Sequence, residues 1–511
     1  MAIVERIEAA TPDARRRLRH SNPATLASLG EIEVATSGDV RAAVERARKA
    51  QPAWAALSFA ERGRFLERAA RELAARQDEF VAEIVAETGK PELEALTTEV
   101  ITACDALVFY AKRAGRILAE RTLPVHLLKT KKLRVAYRPL GVVGIITPWN
   151  FPFILSLNPT LQALVAGNTV VLKPSEVTPR SGRLVEELWN AVGLPEGVFQ
   201  LVQGDGETGA ALLTAGVDKI CFTGSVATGR RVAEVCGREL VPCTLELGGK
   251  DPMIVCADAD LERAARGAVY GAFTNSGQVC TSTERVYVVD EVADAFTRKV
   301  VEETGRLRQG ATGEFDVGAI IDAKQLDVIE DHVRDAVTRG ARVLAGGRRN
   351  PSCSGLFYEP TVLVDVSHDM QVMRDETFGP VLPIMRVRDE QEALALANDS
   401  PYGLNANVWT RSKRRGIELA GGIESGCVVV NDCMLTYGVT ESPFGGAKHS
   451  GIGRVNGEIG LQGFCRVQSI LIDRFGGKTE PLWYPYSARK LRLLRGALRW
   501  IWGTSFGRLL S

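Results

Sequence analysis

From Leu140 onward the chain alternates short, continuously apolar runs with segments of helical period, and no other feature limits its fold as tightly. The first series is Leu140-Gly141-Val142-Val143-Gly144-Ile145-Ile146, Thr169-Val170-Val171-Leu172, Gln200-Leu201-Val202 and Lys219-Ile220-Cys221-Phe222. A strand that is apolar at every position, not at every second one, is covered on both faces, as in a parallel sheet between two layers of helices. A second series runs through Met253-Ile254-Val255 and Val286-Tyr287-Val288-Val289 and ends near Cys427-Val428-Val429-Val430-Asn431. The expected fold class is therefore α/β, with two doubly wound, Rossmann-like lobes meeting near Gly248-Gly249. A chain of 511 residues also exceeds what a single hydrophobic core sustains.

The residues before this alternation read as helical. A cap-like Ser37-Gly38-Asp39 opens an amphipathic stretch over 37–56, with Val40, Ala43, Val44 and Ala47 at helical spacing. Similar periodicity predicts helices over 65–76 and 79–87 and one long helix over 91–114. Residues 133–137 alternate as an exposed strand does.

Composition excludes some classes of function. Lys+Arg 63 against Asp+Glu 62 leaves a net charge of +1, which argues against a nucleic-acid-binding surface spread over the protein. Arg15, Arg16, Arg17 and Arg19 crowd the N-terminus without the apolar segment of a secretory signal, so a cytoplasmic protein is expected. The ten cysteines include no CxxC pair, and His20, His126, His332, His368 and His449 lack ligand spacing. No metal site is expected, the histidines are assigned surface or structural roles, and most cysteines are expected to be buried, reduced thiols.

Cys280 departs from that description. It lies in Asn275-Ser276-Gly277-Gln278-Val279-Cys280-Thr281-Ser282, among small polar residues and glycine, a setting that substrate can approach. A nucleophilic thiol needs a base, a donor for the oxyanion and a route for departing hydride. Glu246, just before the Gly-Gly turn at the lobe junction, and Asn150, ending the Pro148-Trp149-Asn150 turn after the first strand, are the candidates. Gly224-Ser225-Val226-Ala227-Thr228-Gly229 follows a strand and opens a helix, where backbone N–H groups could receive a pyrophosphate. Its spacing is not GxGxxG, and glycines in such turns also serve packing alone. Lys173-Pro174-Ser175-Glu176 lies just past another strand, where a lysine and a carboxylate could each hold a ribose hydroxyl or simply form an exposed ion pair.

Seven segments in order resemble the aldehyde dehydrogenase superfamily, over about 22–472. They are Pro148-Trp149-Asn150-Phe151-Pro152, Lys173-Pro174-Ser175-Glu176, Phe222-Thr223-Gly224-Ser225, Leu245-Glu246-Leu247-Gly248-Gly249-Lys250, Gly277-Gln278-Val279-Cys280, Glu376-Thr377-Phe378-Gly379-Pro380 and Pro443-Phe444-Gly445-Gly446. The resemblance implies that Cys280 attacks an aldehyde, that Asn150 and the Cys280 backbone N–H hold the oxyanion, and that Glu246 activates the water that hydrolyses the thioester. It implies a cofactor site of Trp149, Lys173, Ser175, Glu176, Gly224, Ser225, Glu376 and Phe378. A carboxylate at Glu176 that accepts from ribose hydroxyls repels a 2′-phosphate, so NAD is expected, with NADP as the alternative. Several branches of the family carry a lysine nine residues after the oxyanion asparagine; Pro159 stands there, so no proton-relay role transfers.

The same resemblance divides the chain into a cofactor-binding domain (1–115 and 138–247), a catalytic domain (248–446) and a small β oligomerisation unit (116–137 and 460–474), and implies a homodimer or a homotetramer. Phe151, Phe153 and Phe444, with Val279 and Thr281, are expected along an apolar substrate tunnel, and a lipophilic aldehyde is what the C-terminal extension implies, since it resembles those of fatty-aldehyde-type members. The alternative is a semialdehyde dehydrogenase, succinate semialdehyde-type or CoA-acylating; more remote is a non-catalytic protein on the same fold. Residues 475–511 form an extension beyond the family pattern. Between 486 and 511 it has no acidic residue. On a helical wheel Leu491, Leu494, Leu498, Ile501 and Trp502 share one face, and Arg489, Arg492, Arg495 and Arg499 another. A basic amphipathic helix of this length suits the surface of an anionic membrane, and 487–511 is expected either to attach there, at the inner face, or to dock on protein.

Overall fold

The first apolar series forms a six-stranded sheet in the order Gly451–Ile452, Cys243–Glu246, Lys219–Thr223, Val142–Ile146, Thr169–Lys173 and Phe199–Leu201. Neighbours run parallel except Gly451–Ile452, which is antiparallel to Cys243–Glu246. Every residue of Val142–Ile146 and Thr169–Lys173 is buried, as uninterrupted apolar runs require. From Val142–Ile146 the chain lays two strands to one side, then crosses back to place Lys219–Thr223 on the other. The carboxyl ends of these two strands therefore flank a topological switch point, where doubly wound sheets bind ligands.

The second series supplies three strands of a seven-stranded sheet in the order Arg342–Ala345, Thr361–Val364, Val381–Val387, Thr283–Val289, Asp251–Val255, Asn407–Trp409 and Val429–Val430, antiparallel only at Arg342–Ala345; the other four were not expected. Successive residues feed opposite cores: Ile254 and Tyr287 pack into one, and Met253, Val255, Val286 and Val288 into the other. The last strand is shorter than the 427–431 run, only Val429–Val430 pairing.

The computed structural model describes residues 4–7, 15–480 and 482–505. It divides into two compact units, Met1–Ile117 with Pro139–Phe464, and Leu118–Arg138 with Cys465–Ser511. The larger unit holds both parallel sheets and an antiparallel sheet of Val4–Ile7, Arg17–Ser21 and Ser28–Glu33, which the sequence did not announce. Helix Ser37–Ala56 forms as expected, but its cap is Thr36, whose hydroxyl accepts from Asp39 N while the Asp39 carboxylate accepts from Thr36 N. The helix expected over 65–76 begins earlier, at Phe59, because Ser58 and Glu61 make a second such box. The single helix expected over 91–114 is instead a turn at Glu92–Glu94, a wide π-type stretch at Ala95–Ile101 and an α-helix at Thr102–Ile117. The Thr102 hydroxyl donates to the Thr97 carbonyl, five residues back, across the widened turn.

In the smaller unit Lys131–Pro139 lies between Arg121–Leu123 and Cys465–Asp473. Lys131 Nζ bridges Asp473 (2.9 Å) and Glu480 (2.5 Å). Beyond it the helix Ala488–Gly503 is capped by the Ser487 hydroxyl, which accepts from Lys490 N, and none of its residues is buried. Among the described residues no helix is long and apolar enough to cross a membrane.

Candidate active site

Cys280 sits in the loop between helix Leu261–Phe273 and strand Thr283–Val289. Asn275, Ser276 and Gly277 are consecutively left-handed (φ 50°, 56° and 73°), reversing the chain within three residues. Gly277 cannot be replaced there, since a Cβ would lie 2.1 Å from the Gly379 carbonyl oxygen. Buried Gln278 fixes the loop: its Nε2 donates to the carbonyls of Asn275 (2.9 Å) and Ala319 (3.2 Å), and its Oε1 accepts from Ile321 N (2.8 Å).

Asn150 is pinned from both ends. Its Nδ2 donates to the Gln278 carbonyl (3.0 Å), while its own backbone carbonyl accepts from Lys90 Nζ (2.9 Å) and Asn275 Nδ2 (2.9 Å). Lys90 is buried and ion-paired with Glu99 at 2.7 Å, and the second Glu99 oxygen accepts from Phe153 N and Ile154 N at the start of helix Pro152–Val165. A carboxylate there also faces the positive end of that helix.

Glu246 ends strand Cys243–Glu246, is buried, and its Oε1 has no hydrogen-bond partner among the described residues. Burial pushes its pKa up to about 8, opposed by the charge of Arg454. Glu376 is likewise raised to about 8, by burial and then by the Glu284 carboxylate, although Gly249 N donates to it at 2.9 Å. The Gly248-Gly249 turn exists because of close approach: a Cβ on Gly248 would lie 2.1 Å from Glu376 Oε2, and one on Gly249 would lie 2.5 Å from the Cys280 carbonyl oxygen. Burial also pushes the Cys280 thiol well above its ordinary value, and the carboxylates of Glu246, Asp251 and Glu376 add to the shift.

A buried pair, Lys250 and Glu284 (2.6 Å), shapes the opposite wall. Lys250 Nζ also donates to Thr377 Oγ1, and the Glu284 oxygens accept from Thr377 N and Phe378 N (2.8 Å each). Phe378 is thereby held at φ 49°, its ring edge-on to Trp149 with centroids 5.4 Å apart.

Trp149, Asn150, Gly224, Ser225, Glu246, Cys280, Glu376 and Phe378 all line one cleft of about 270 Å³ at the switch point. Ser225 caps helix Val226–Glu239, accepting from Thr228 N. Lys173, Ser175 and Glu176 stand apart, past the end of the adjacent strand; Lys173 Nζ is 3.0 Å from Glu176 Oε2, and Ser175 Oγ accepts from Val177 N within the turn. A second cavity of about 240 Å³ opens on the other side of the thiol, walled by Phe151, Ile154, Leu155, Val279, Thr281 and Leu435 among others. Among the described residues Cys280 and Leu155 alone border both cavities. Two expected tunnel residues do not line it: Phe153 packs edge-on against Phe80, while Phe444 lies behind the wall, edge-on to Tyr437 and in one cluster with Cys280. Both aromatic rings satisfy core packing, which the sequence pattern does not separate from lining a tunnel.

Sequence reasoning passed over Lys90, Glu99, Glu284 and Leu155. Lys250 and Gln278 lay inside the motifs quoted above, whereas Lys90, Glu99 and Glu284 lie outside any of them.

The aldehyde dehydrogenase family profile matches residues 10–470. The chain belongs to the aldehyde dehydrogenase family. It is 41% identical to the 4,4'-diapolycopene aldehyde oxidase of Methylomonas sp, covering 93% of this chain and 89% of that protein. It is also 41% identical to a putative succinate-semialdehyde dehydrogenase [NADP(+)] of Mycolicibacterium smegmatis, covering 92% and 91%. Among solved structures, an aldehyde dehydrogenase of Mycobacterium tuberculosis complexed with NAD+ shares 35% identity and a TM-score of 0.86 over 92% of this chain and 97% of that one. An E. coli NADP-dependent enzyme shares 36% identity and a TM-score of 0.86 over 93% and 98%. As a family member, the protein is an aldehyde-oxidising enzyme of mixed α/β fold.

Proposed function

We propose that the protein oxidises a lipophilic aldehyde to the free carboxylic acid with NAD, NADP being the weaker acceptor, through a thioester on Cys280. The observation that carries this reading is the position of Cys280, on the border between a polar cleft at the switch point and an apolar cavity. The cleft suits a dinucleotide. It has a helix N-terminus capped by Ser225, backbone without a side chain at Gly248 in its wall, and the Lys173–Glu176 pair at the next strand end. Lys173 and Glu176 would hold the adenosine ribose beside Ser175, Gly224 and Ser225 the pyrophosphate, and Glu376, Phe378 and Trp149 the nicotinamide end. A 2′-phosphate beside Glu176 would meet like charge. The bound nicotinamide would supply the hydride acceptor.

The remaining work falls to side chains. Cys280 attacks as the thiolate, its proton given up to solvent: Sγ bonds to the carbonyl carbon as the C=O π bond opens onto the oxygen, which takes up the negative charge. Collapse of that oxyanion with loss of the aldehyde hydrogen as hydride, to the acceptor the nucleotide would supply, leaves the thioester. One Asn150 amide hydrogen is committed to the Gln278 carbonyl; the other, with the Cys280 N–H, is left for that oxygen. Losing one such donor costs ~3 kcal/mol of barrier. The thioester then requires an activated water. Of the three cleft carboxyls, Asp322 caps helix Ala323–Thr338 by accepting from Lys324 N and Glu376 is bound by Gly249 N–H, while Glu246 Oε1 has no partner among the described residues, so Glu246 is the base. Hydrolysis, not transfer to CoA, follows from that base.

No Lys, Arg or His is among the described residues lining the apolar cavity. The carboxylate of succinate semialdehyde, the substrate in the mycobacterial relative's name, would enter it without a cation. The test is kcat/KM for hexanal, decanal, benzaldehyde and succinate semialdehyde with each nucleotide, omitting CoA. Decanal with NAD is expected to lead and to yield free acid; a higher value for succinate semialdehyde, or for NADP, overturns the corresponding part.

For assembly, a homodimer or homotetramer through strand Cys465–Asp473 is supported by the strand's place at a sheet edge with Val467 and Leu471 exposed. Attachment of 487–511 to an anionic membrane surface is supported by the exposed leucine and tryptophan side chains of Ala488–Gly503 opposite its arginines.

A further inference from the structure

We infer that the apolar cavity beside Cys280 does not end at Tyr270 but continues along helix Leu261–Phe273 into a recess over Leu93, which receives the distal part of a long apolar chain. The inference rests on the reading of the protein as a dehydrogenase of lipophilic aldehydes. Tyr270 and Thr274, one helical turn apart on the same face, belong to the walls of both spaces. The recess measures about 460 Å³, against about 240 Å³ beside the thiol. Its walls include Leu93, Val269, Phe273, Leu307, Phe315 and Val317. Leu93 is 70% exposed and Tyr270 54%, two large side chains left to water on either side of one depression.

The rim is fixed, not loose. The Glu94 carboxylate accepts from Asn275 N (3.1 and 3.0 Å), fastening the turn that carries Leu93 to the loop that carries Cys280. From Thr274 to Arg266 the helix advances about 12 Å at its usual rise, so the recess lengthens the path from the thiol by that much. Its far end presents no bare cation. Arg266 is paired with Glu262 (2.8 Å), and Arg306 with Glu302 (2.6 Å) and Glu303 (2.5 Å). A neutral chain end fits there better than a second carboxylate does.

The experiment compares kcat/KM for hexanal and hexadecanal, with succinate semialdehyde as control, in wild type, Leu93→Trp and Leu93→Asp. Leu93 is exposed, so both variants are expected to fold. Wild type is expected to favour hexadecanal over hexanal at least about tenfold, from the additional buried methylenes. Each variant is expected to lose most of that preference while hexanal stays within about twofold, because one fills the recess and the other places a charge in it. Variants that lower both alkanals alike, or neither, overturn the extension. If wild type turns over succinate semialdehyde better than either alkanal, the underlying substrate reading has failed instead, and this is visible before any variant is made.

Discussion

In the free protein at neutral pH, Glu246 carries its proton, because burial holds its pKa near 8 and no hydrogen bond favours the anion. As the proposed base it works only after losing that proton, so kcat is expected to rise with pH through about 8 and then level, read from a steady-state profile between pH 6 and 10. Stability runs the other way. The folded chain keeps protons at Glu246 and Glu376 that the unfolded chain releases near 4.5, so stability is full below that value and is lost as pH rises to about 8. Melting temperatures between pH 6 and 9 are expected to fall, and Glu246→Gln to flatten part of that slope. The same variant is expected to retain a single-turnover burst of NADH while steady turnover drops by about 10²-fold or more. Cys280, Glu246 and Asn150 were legible in the sequence because their chemistry is written in residue type beside glycine-rich turns. Lys90 and Glu99 were not, since what matters about them is mutual burial, and the eight residues between them give no sign of it.

The elements that support these residues are held by two buried ion pairs. Lys90–Glu99 ties the π-type stretch, the start of helix Pro152–Val165 and the Asn150 carbonyl into one unit. Lys90→Met leaves Glu99 buried without its cation, and a loss of about 3–5 kcal/mol is expected in denaturant unfolding. Lys250–Glu284 does the same for Thr377 and Phe378. The parallel strands named from the sequence were readable because burial on both faces leaves a nearly unbroken apolar run; Thr361–Val364, Asn407–Trp409, only three residues long, and Val381–Val387, interrupted by Pro383 and Arg386, were passed over. The widened turn at Ala95–Ile101 was not, because apolar periodicity predicts a helix and cannot register a carbonyl claimed by Thr102 from five residues on. The boundary at Phe59 was missed for a simpler reason: its signal is the Ser58 and Glu61 cap, not the apolar period.

At the scale of the molecule, the C-terminal helix is the part whose role depends least on the catalytic fold. With 487–511 removed, binding to vesicles rich in anionic lipid is expected to fall, measured by co-sedimentation, while kcat on hexanal stays within about twofold; equal pelleting of both forms rejects membrane attachment. The larger unit has its own asymmetry. Among the described residues only Cys280 and Leu155 border both the polar cleft and the apolar cavity, so the proposed nucleotide and aldehyde would not compete for volume. The thiol would then be the wall between two rooms, and neither the order in which the proposed reactants arrive nor the order in which they leave would be set by one blocking the other.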